Sequence, residues 1–211
     1  VPHRLVGSLS YRVEYAKALA TTFSLFYEGS HQGRFAYRYT SDFNNDGINA
    51  DLIYIPKDAS EITFTDIVSS GKVLFTAKEQ SDAFFAYISQ DDYLSDHQGE
   101  YAERFGALLP WRSQWDFRVL QDIFTNIGSR KNTLQVSLDI LNFGNMLDKD
   151  WGTIQTTNLN NGSILVPSVK SDGTATFQLA QVSGKLPTTS FRNVIGTAST
   201  WNMQVGVRYI F

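Results

Sequence analysis

The clearest hydrophobic pattern lies at the C-terminus. From Trp201 to Phe211 every odd position is large and apolar, and every even position is polar or small until Ile210. Four other segments repeat the alternation. Leu5, Gly7, Leu9, Tyr11, Val13 and Tyr15 interleave with Arg4, Ser8, Ser10, Arg12 and Glu14. Phe23, Leu25 and Tyr27 interleave with Thr22, Ser24 and Glu28, with Phe26 breaking the polar series. Trp115, Phe117 and Val119 alternate with Gln114, Asp116 and Arg118, and Leu134, Val136, Leu138 and Ile140 with Thr133, Gln135, Ser137 and Asp139. Period two predicts strands with one apolar and one polar face. In a soluble sandwich the apolar face meets a second sheet. In an outer-membrane barrel it meets lipid, and the polar face lines the lumen. Alternation by itself fits both.

The connections between these strands separate the two. Ala16–Ala20 and Thr125–Asn132 are short, whereas Tyr39–Pro110 and Thr157–Gly196 are long. Loops in compact domains have a median of about 4–6 residues, while membrane barrels pair short periplasmic turns with long extracellular loops. Tyr15, Tyr27, Trp111, Trp151 and Trp201 lie near segment ends, as an interfacial girdle requires, although aromatics are common in any strand. Inside the first long connection, Leu52–Pro56 predicts a short strand ended by proline. Thr76 and Glu79 form a capping box that opens a helix through Ile88, with Phe84, Tyr87 and Ile88 on one face. In the second, Gly162–Pro167 and Thr174–Leu179 flank the turn residues Ser171-Asp172-Gly173 and predict an extra hairpin.

Composition narrows the classes further. The 211 residues carry 18 Lys and Arg against 21 Asp and Glu, so no basic excess points to nucleic acid. The chain has no cysteine, which removes disulfides, thiolate metal sites and a cysteine nucleophile. No apolar run reaches the roughly 20 residues of a membrane helix, a test that membrane strands escape. The start at Val1-Pro2-His3-Arg4-Leu5, with neither an initiator Met nor a signal pattern, predicts a mature or truncated piece.

Candidate chemistry is concentrated in the first long connection. Asp42, Asn44 and Asp46 followed by Gly47 have the D-x-N-x-D-G form of a Ca²⁺ loop, with Asp51 standing in for a bidentate Glu that the twelfth position, Ile53, does not supply. The same residues also suit a turn in which Asn and Asp bond their own backbone. The acids between Asp91 and Glu103 raise glycoside hydrolysis, but no second catalytic element accompanies them and solvated or structural roles fit as well. His3, His31 and His97 have no ligand spacing, and no nucleophile elbow, P-loop or dinucleotide fingerprint occurs. The expectation is a protein that is not an enzyme.

Several motifs together resemble the end of a TonB-dependent outer-membrane receptor of the Oar-like or SusC-like kind found in Bacteroidetes. They are Val1-Pro2-His3-Arg4 before an alternating strand and Tyr27-Glu28-Gly29-Ser30. The Asp42–Asp51 loop running into Leu52-Ile53-Tyr54-Ile55-Pro56 is a third, and Gly99-Glu100-Tyr101-Ala102-Glu103-Arg104 before Leu109-Pro110-Trp111 and Trp115-Asp116-Phe117-Arg118 a fourth. Asp139 to Asp148 looks like the late-strand NLF-D signature, and Trp201–Phe211 like a terminal barrel strand. Phe105 and Met146 depart from the family pattern. The resemblance implies an all-β fold in which residues 1–211 are the C-terminal part, about five strands, of a large antiparallel transmembrane barrel. Residues 40–110 and 157–196 would be extracellular loops holding a short helix and the extra hairpin. The earlier strands, the N-terminal plug and the TonB-contacting box would lie outside this chain, and Asn142-Phe143-Gly144-Asn145 would sit within a long strand, bulged at Gly144. It also implies a bacterial outer-membrane location, import of a siderophore, glycan or peptide, and as partners lipid, the rest of the barrel, TonB and a surface lipoprotein. Arg12, Glu14, Arg118, Asp139 and Arg208 would line the wet wall. Phe35, Tyr37 and Tyr39 are candidates for stacking on sugars or for ordinary packing. The rival from another class is a secreted β-sandwich that binds carbohydrate.

Overall fold

A computed structural model describes residues 3–127 and 130–211. The chain is mainly antiparallel β-structure and divides into two compact units, residues 1–32, 110–155 and 193–211 in one, and 33–109 and 156–192 in the other. Val1-Pro2 and the Gly128-Ser129 portion of the second short connection lie outside the described residues.

The first unit is built on five strands: β1 (Arg4–Tyr15), β2 (Leu19–His31), β3 (Trp111–Ile127), β4 (Arg130–Leu141) and β5 (Asn202–Ile210). They pair in chain order as an antiparallel meander. Among the described residues the sheet is open, with β1 and β5 each paired on one side only. Ala16 and Lys17, both left-handed, turn β1 into β2. The strand ends His31, Trp111, Leu141 and Asn202 gather at the opposite end of the sheet.

The register brings the five alternations into phase. Directly paired residues share a face, so Leu9, Leu25, Phe117, Ile140 and Met203 form one row, and Tyr11, Phe23, Val119, Leu138 and Val205 the next. Tyr15, Leu19, Ile123, Leu134 and Tyr209 close the apolar face at one end, and Tyr27, Trp115 and Trp111 at the other. Apart from Ile140, which is buried, these side chains are half-buried or exposed. Leu9 and Val205 are each 71% exposed, and Leu134, Val207 and Tyr209 are exposed as well. The sandwich expectation of a buried apolar face is not met by these residues.

The other unit has the interior that the sheet lacks. The helix α1 (Ala77–Gln90) starts at the predicted capping box: Glu79 N donates to the Thr76 hydroxyl, and Thr76 N donates to the Glu79 carboxylate at 2.7 Å. Its face of Phe84, Tyr87 and Ile88 packs into a core with Ile53, Ile55, Leu94, Ile164, Leu165 and Leu179. A second, short helix α2 (Asp92–Asp96) follows, N-capped by Asp91. The predicted hairpin forms from Ser163–Val169 and Ala175–Leu179, extended by a parallel pairing with Arg38–Tyr39. Buried Gln80 joins helix to hairpin, donating to Thr65 O at 2.8 Å and accepting from Leu179 N at 3.1 Å. The predicted strand at Leu52–Pro56 is reduced to Tyr54–Ile55, which pairs with Glu100–Tyr101.

One expected element is wrong. Asn142 to Asn145 do not continue β4 with a bulge at Gly144. Asn142 adopts left-handed φ and ψ of 53° and 46°, which breaks the strand, and a short helix α3 (Phe143–Leu147) follows. Asn tolerates this conformation because its side chain can bond locally. Here its Nδ2 donates to Gly152 O at 3.2 Å and Ser199 O at 2.9 Å.

Candidate functional site

The polar face of the sheet gathers the expected wall residues and several that the alternation missed. Arg12, Glu14, Arg118, Asp139 and Arg208 all fall on it. Arg12 reaches past β2 to Asp122 on β3, with 2.8 Å between Nη1 and Oδ2, and meets Glu14 at 3.3 Å. Arg118 pairs with Asp139 across the β3–β4 ladder. Gln135 donates to the other Asp122 oxygen at 2.8 Å and lies between Asp122 and Arg208 in its row. The Ser10 and Ser24 hydroxyls lie 3.0 Å apart. Asp122 and Gln135 are therefore as central as the five expected residues. Asp122 escaped the pattern because Leu120 and Phe124, one strand step of two to either side, are apolar and hide the polar phase beyond Val119.

Arg4 pairs with Glu28, Arg12 with Glu14 and Asp122, and Arg118 with Asp139, and the two signs balance across the face. Arg4, Arg12, Arg112, Arg118 and Arg208 face Glu14, Glu28, Asp116, Asp122 and Asp139 on the same side. Partly exposed pairs of this kind add little stability. Their effect is to fix donors and acceptors on a rigid sheet, where hydroxylated or zwitterionic molecules can exchange water for protein contacts.

The opposite face handles its polar residues differently. Gln121 sits among apolar neighbours, and its amide is saturated. Its Oε1 accepts from the Tyr15 hydroxyl at 2.9 Å and the Thr21 hydroxyl at 2.6 Å, while Nε2 donates to Ala20 O at 3.1 Å and Asp122 O at 3.0 Å. Tyr209 donates to Asn132 Oδ1 at 2.7 Å on the same face. Internal satisfaction is what a polar group needs where no water is present to bond it.

In the second unit the expected site residues take structural places. Phe35, Tyr37 and Tyr39 are buried in the core, so none offers a ring to a sugar; their alternation is that of packed residues. Asp91 is buried too, accepting from the hydroxyls of Tyr37 and Ser190, each at 2.5 Å, and from Leu94 N at 3.0 Å. It ties three segments together. Burial raises the Tyr37 phenol well above its usual value, and pushes that of Tyr87 up to about 12. His97 bonds Tyr93 O through Nδ1 at 2.8 Å and stacks on the Tyr93 ring.

The candidate calcium residues stay together in one turn, held by amides. Asp42 accepts from Gly47 N at 2.7 Å and Asp46 N at 3.2 Å, Asn44 from Asp46 N at 2.9 Å, Asp46 from Ile48 N at 2.8 Å, and Asp51 from Phe43 N at 2.6 Å. Among the described residues no group of three or more His, Asp or Glu side chains is arranged to hold an ion. Beside this turn lies a cleft of about 610 Å³, lined by Phe43, Asn44, Asp51, Leu52 and the exposed Tyr101. No helix of the described residues is long and apolar enough to cross a membrane, which says nothing of membrane strands. Compared with protein-family models, curated proteins and solved structures, the chain matches none.

Proposed function

We propose that this chain is the C-terminal barrel segment, with extracellular loops, of a TonB-dependent transporter in a bacterial outer membrane. The observation that carries the reading is the in-phase apolar face, continuous over five strands and exposed at Leu9, Val205 and Val207. Contiguous apolar surface of this extent is rare on soluble monomers. Its dimensions fit a bilayer. From Trp111 to Ile123 a strand rises about 40 Å, which a tilt of about 40° reduces to about 30 Å, with aromatic rows at both ends. On this face the Gln121 amide is bonded internally and Asn132 Oδ1 accepts from the Tyr209 hydroxyl, as hydrocarbon demands of polar groups.

The open sheet edges follow the same logic. Unpaired strand edges are not tolerated in lipid, so β1 and β5 would join further strands to close the barrel. The arginines and carboxylates of the polar face would then line a wet lumen, and the long connections would be extracellular loops, with the cleft at Tyr101 open to ligand. The ligand class is a siderophore, glycan or peptide, and the chain itself carries out no covalent chemistry.

Residues 1–211 contain no cysteine, so a single substitution supplies the one thiol of this chain. In proteoliposomes holding the full-length protein, Gln204→Cys should react quickly with a charged maleimide and Val205→Cys slowly. Equal reaction at both positions, with the protein folded, would sink the barrel assignment and favour a water-exposed sheet.

A further inference from the structure

The break after β4 places a short hydrophobic segment beside the apolar face, at its Trp111–Trp115 end. Phe143, the first residue of α3, packs on Phe117 with ring centres 6.0 Å apart, and Phe117 belongs to the apolar face. Gly144 lies between the rings of Trp115 and Trp151, whose nearest atoms are 3.8 and 3.7 Å from where a Cβ would stand. Beyond these contacts the segment points its remaining hydrophobic side chains outward. Leu147 is 64% exposed and Trp151 56%, with Met146 exposed beside them. Asp148, Lys149 and Asp150 continue the turn, and they are exposed too.

This exposure is built in. Asn145 Nδ2 donates to Lys149 O at 2.9 Å and Trp151 O at 3.0 Å, and its Oδ1 accepts from Trp201 N at 3.2 Å. Asn142 N donates to Asp116 at 2.8 Å, and Arg112 clamps Gly152 O at 2.8 Å and Ala198 O at 2.7 Å. These bonds fix the backbone of the segment in the conformation that leaves its leucine and tryptophan exposed. Single exposed apolar residues are ordinary, but a rigid cluster continuous with a larger apolar face marks a contact surface.

We propose that α3 with Trp151 is a membrane-resting foot, whose Met146, Leu147 and Trp151 side chains enter the boundary between headgroups and acyl chains of the outer leaflet. The inference rests on the barrel assignment and adds the partner of this one surface. Lipid is favoured over protein because the patch continues the band assigned to hydrocarbon, carries tryptophan at its edge, and is followed at once by charged residues at headgroup level. The foot would fix the height and tilt of the barrel in the membrane and hold the base of the second long connection.

Depth-dependent quenching tests it in proteoliposomes of the full-length protein. A small fluorophore is attached to Leu147→Cys, with Val205→Cys as the reference inside the apolar band and Gln204→Cys as the aqueous reference. The expected result is strongest loss of Leu147 fluorescence with nitroxide on lipid headgroups, of Val205 fluorescence with nitroxide deep in the acyl chain, and of Gln204 fluorescence with iodide. If iodide quenches Leu147 as readily as Gln204 while Val205 still responds to acyl nitroxide, the foot is overturned and the barrel stands. Protection of Leu147 from both lipid and aqueous quenchers would assign the surface to a protein partner and equally overturn it. Iodide quenching at both Leu147 and Val205 would instead bring down the barrel assignment beneath it.

Discussion

The two units put the same kinds of side chain to opposite uses. In the unit built from the long connections, Phe84 is fully buried and packs with Tyr87, Ile88 and Leu94 into a closed core. In the five-stranded sheet, Leu9, Val205 and Val207 stand in regular rows and remain uncovered. Both regions are amphipathic in sequence, so amphipathy alone identifies a face and not what covers it. The core of the first kind is made by the chain itself. The second needs a medium or partner, and its uniformity across five strands argues for a medium.

Substitutions that remove side-chain volume should separate the regions most strongly. Phe84→Ala is expected to destabilise its unit by about 3–5 kcal/mol, the usual cost of emptying a packed aromatic site. Leu9→Ala should cost under about 1 kcal/mol, because this side chain has no protein cavity to leave. Urea unfolding followed by near-ultraviolet circular dichroism would measure both, and equal losses would erase the distinction. Introducing charge should reverse the sensitivities. Val205→Arg is expected to cost about 2–4 kcal/mol in liposomes if the face meets the middle of a bilayer, against near zero for Gln204→Arg. The readout is the fraction folded at matched urea, and a harmless Val205→Arg would remove the reason for placing this face in lipid.

Alkali offers a subtler contrast. Burial holds the Tyr37 and Tyr87 phenols neutral, with Tyr87 at about 12 and ordinary tyrosine near 10. A raised folded value means that the folded state keeps its proton while the unfolded chain loses it. Stability is therefore complete below pH about 10 and declines toward pH about 12, by about 1–3 kcal/mol for Tyr87. Tyr87→Phe should reduce this decline in the unit with the core, leaving the part that Tyr37 contributes, and leave the sheet unchanged. The smallest expected effect is at the helix start, where Thr76→Ala should cost about 1 kcal/mol through loss of the cap. Hydrogen exchange in the first turn of α1 would detect it, and unchanged protection would remove that cap from the helix's stability.

Much of this organisation was readable along the chain where the signal is local. The period-two segments became strands, Thr76 and Glu79 started the helix, and Ser171-Asp172-Gly173 turned the hairpin. The alternating run Phe35, Tyr37, Tyr39 left packing and sugar stacking both open, because nothing local tells a packed aromatic series from an exposed platform, and burial decided for packing. Gln80 and Asp91 were unreadable as organising residues, since the partners that satisfy them, Leu179 and Ser190, lie about a hundred positions away. Asn142 carried a clue in its tolerance for left-handed backbone, but the carbonyls that hold it there, of Gly152 and Ser199, belong to other parts of the chain.

The amino-acid order alone determined where the main strands run, which of their faces is apolar, and where α1 begins, because these depend on neighbours within a few residues. Tertiary structure decided that five separate alternations fall into register as common rows, that Phe35, Tyr37 and Tyr39 are enclosed while Val205 and Val207 are not, and that Asp122 stands at the centre of the charged wall. Those outcomes depend on pairing and burial between segments distant in the chain, and no periodicity records which segment will arrive.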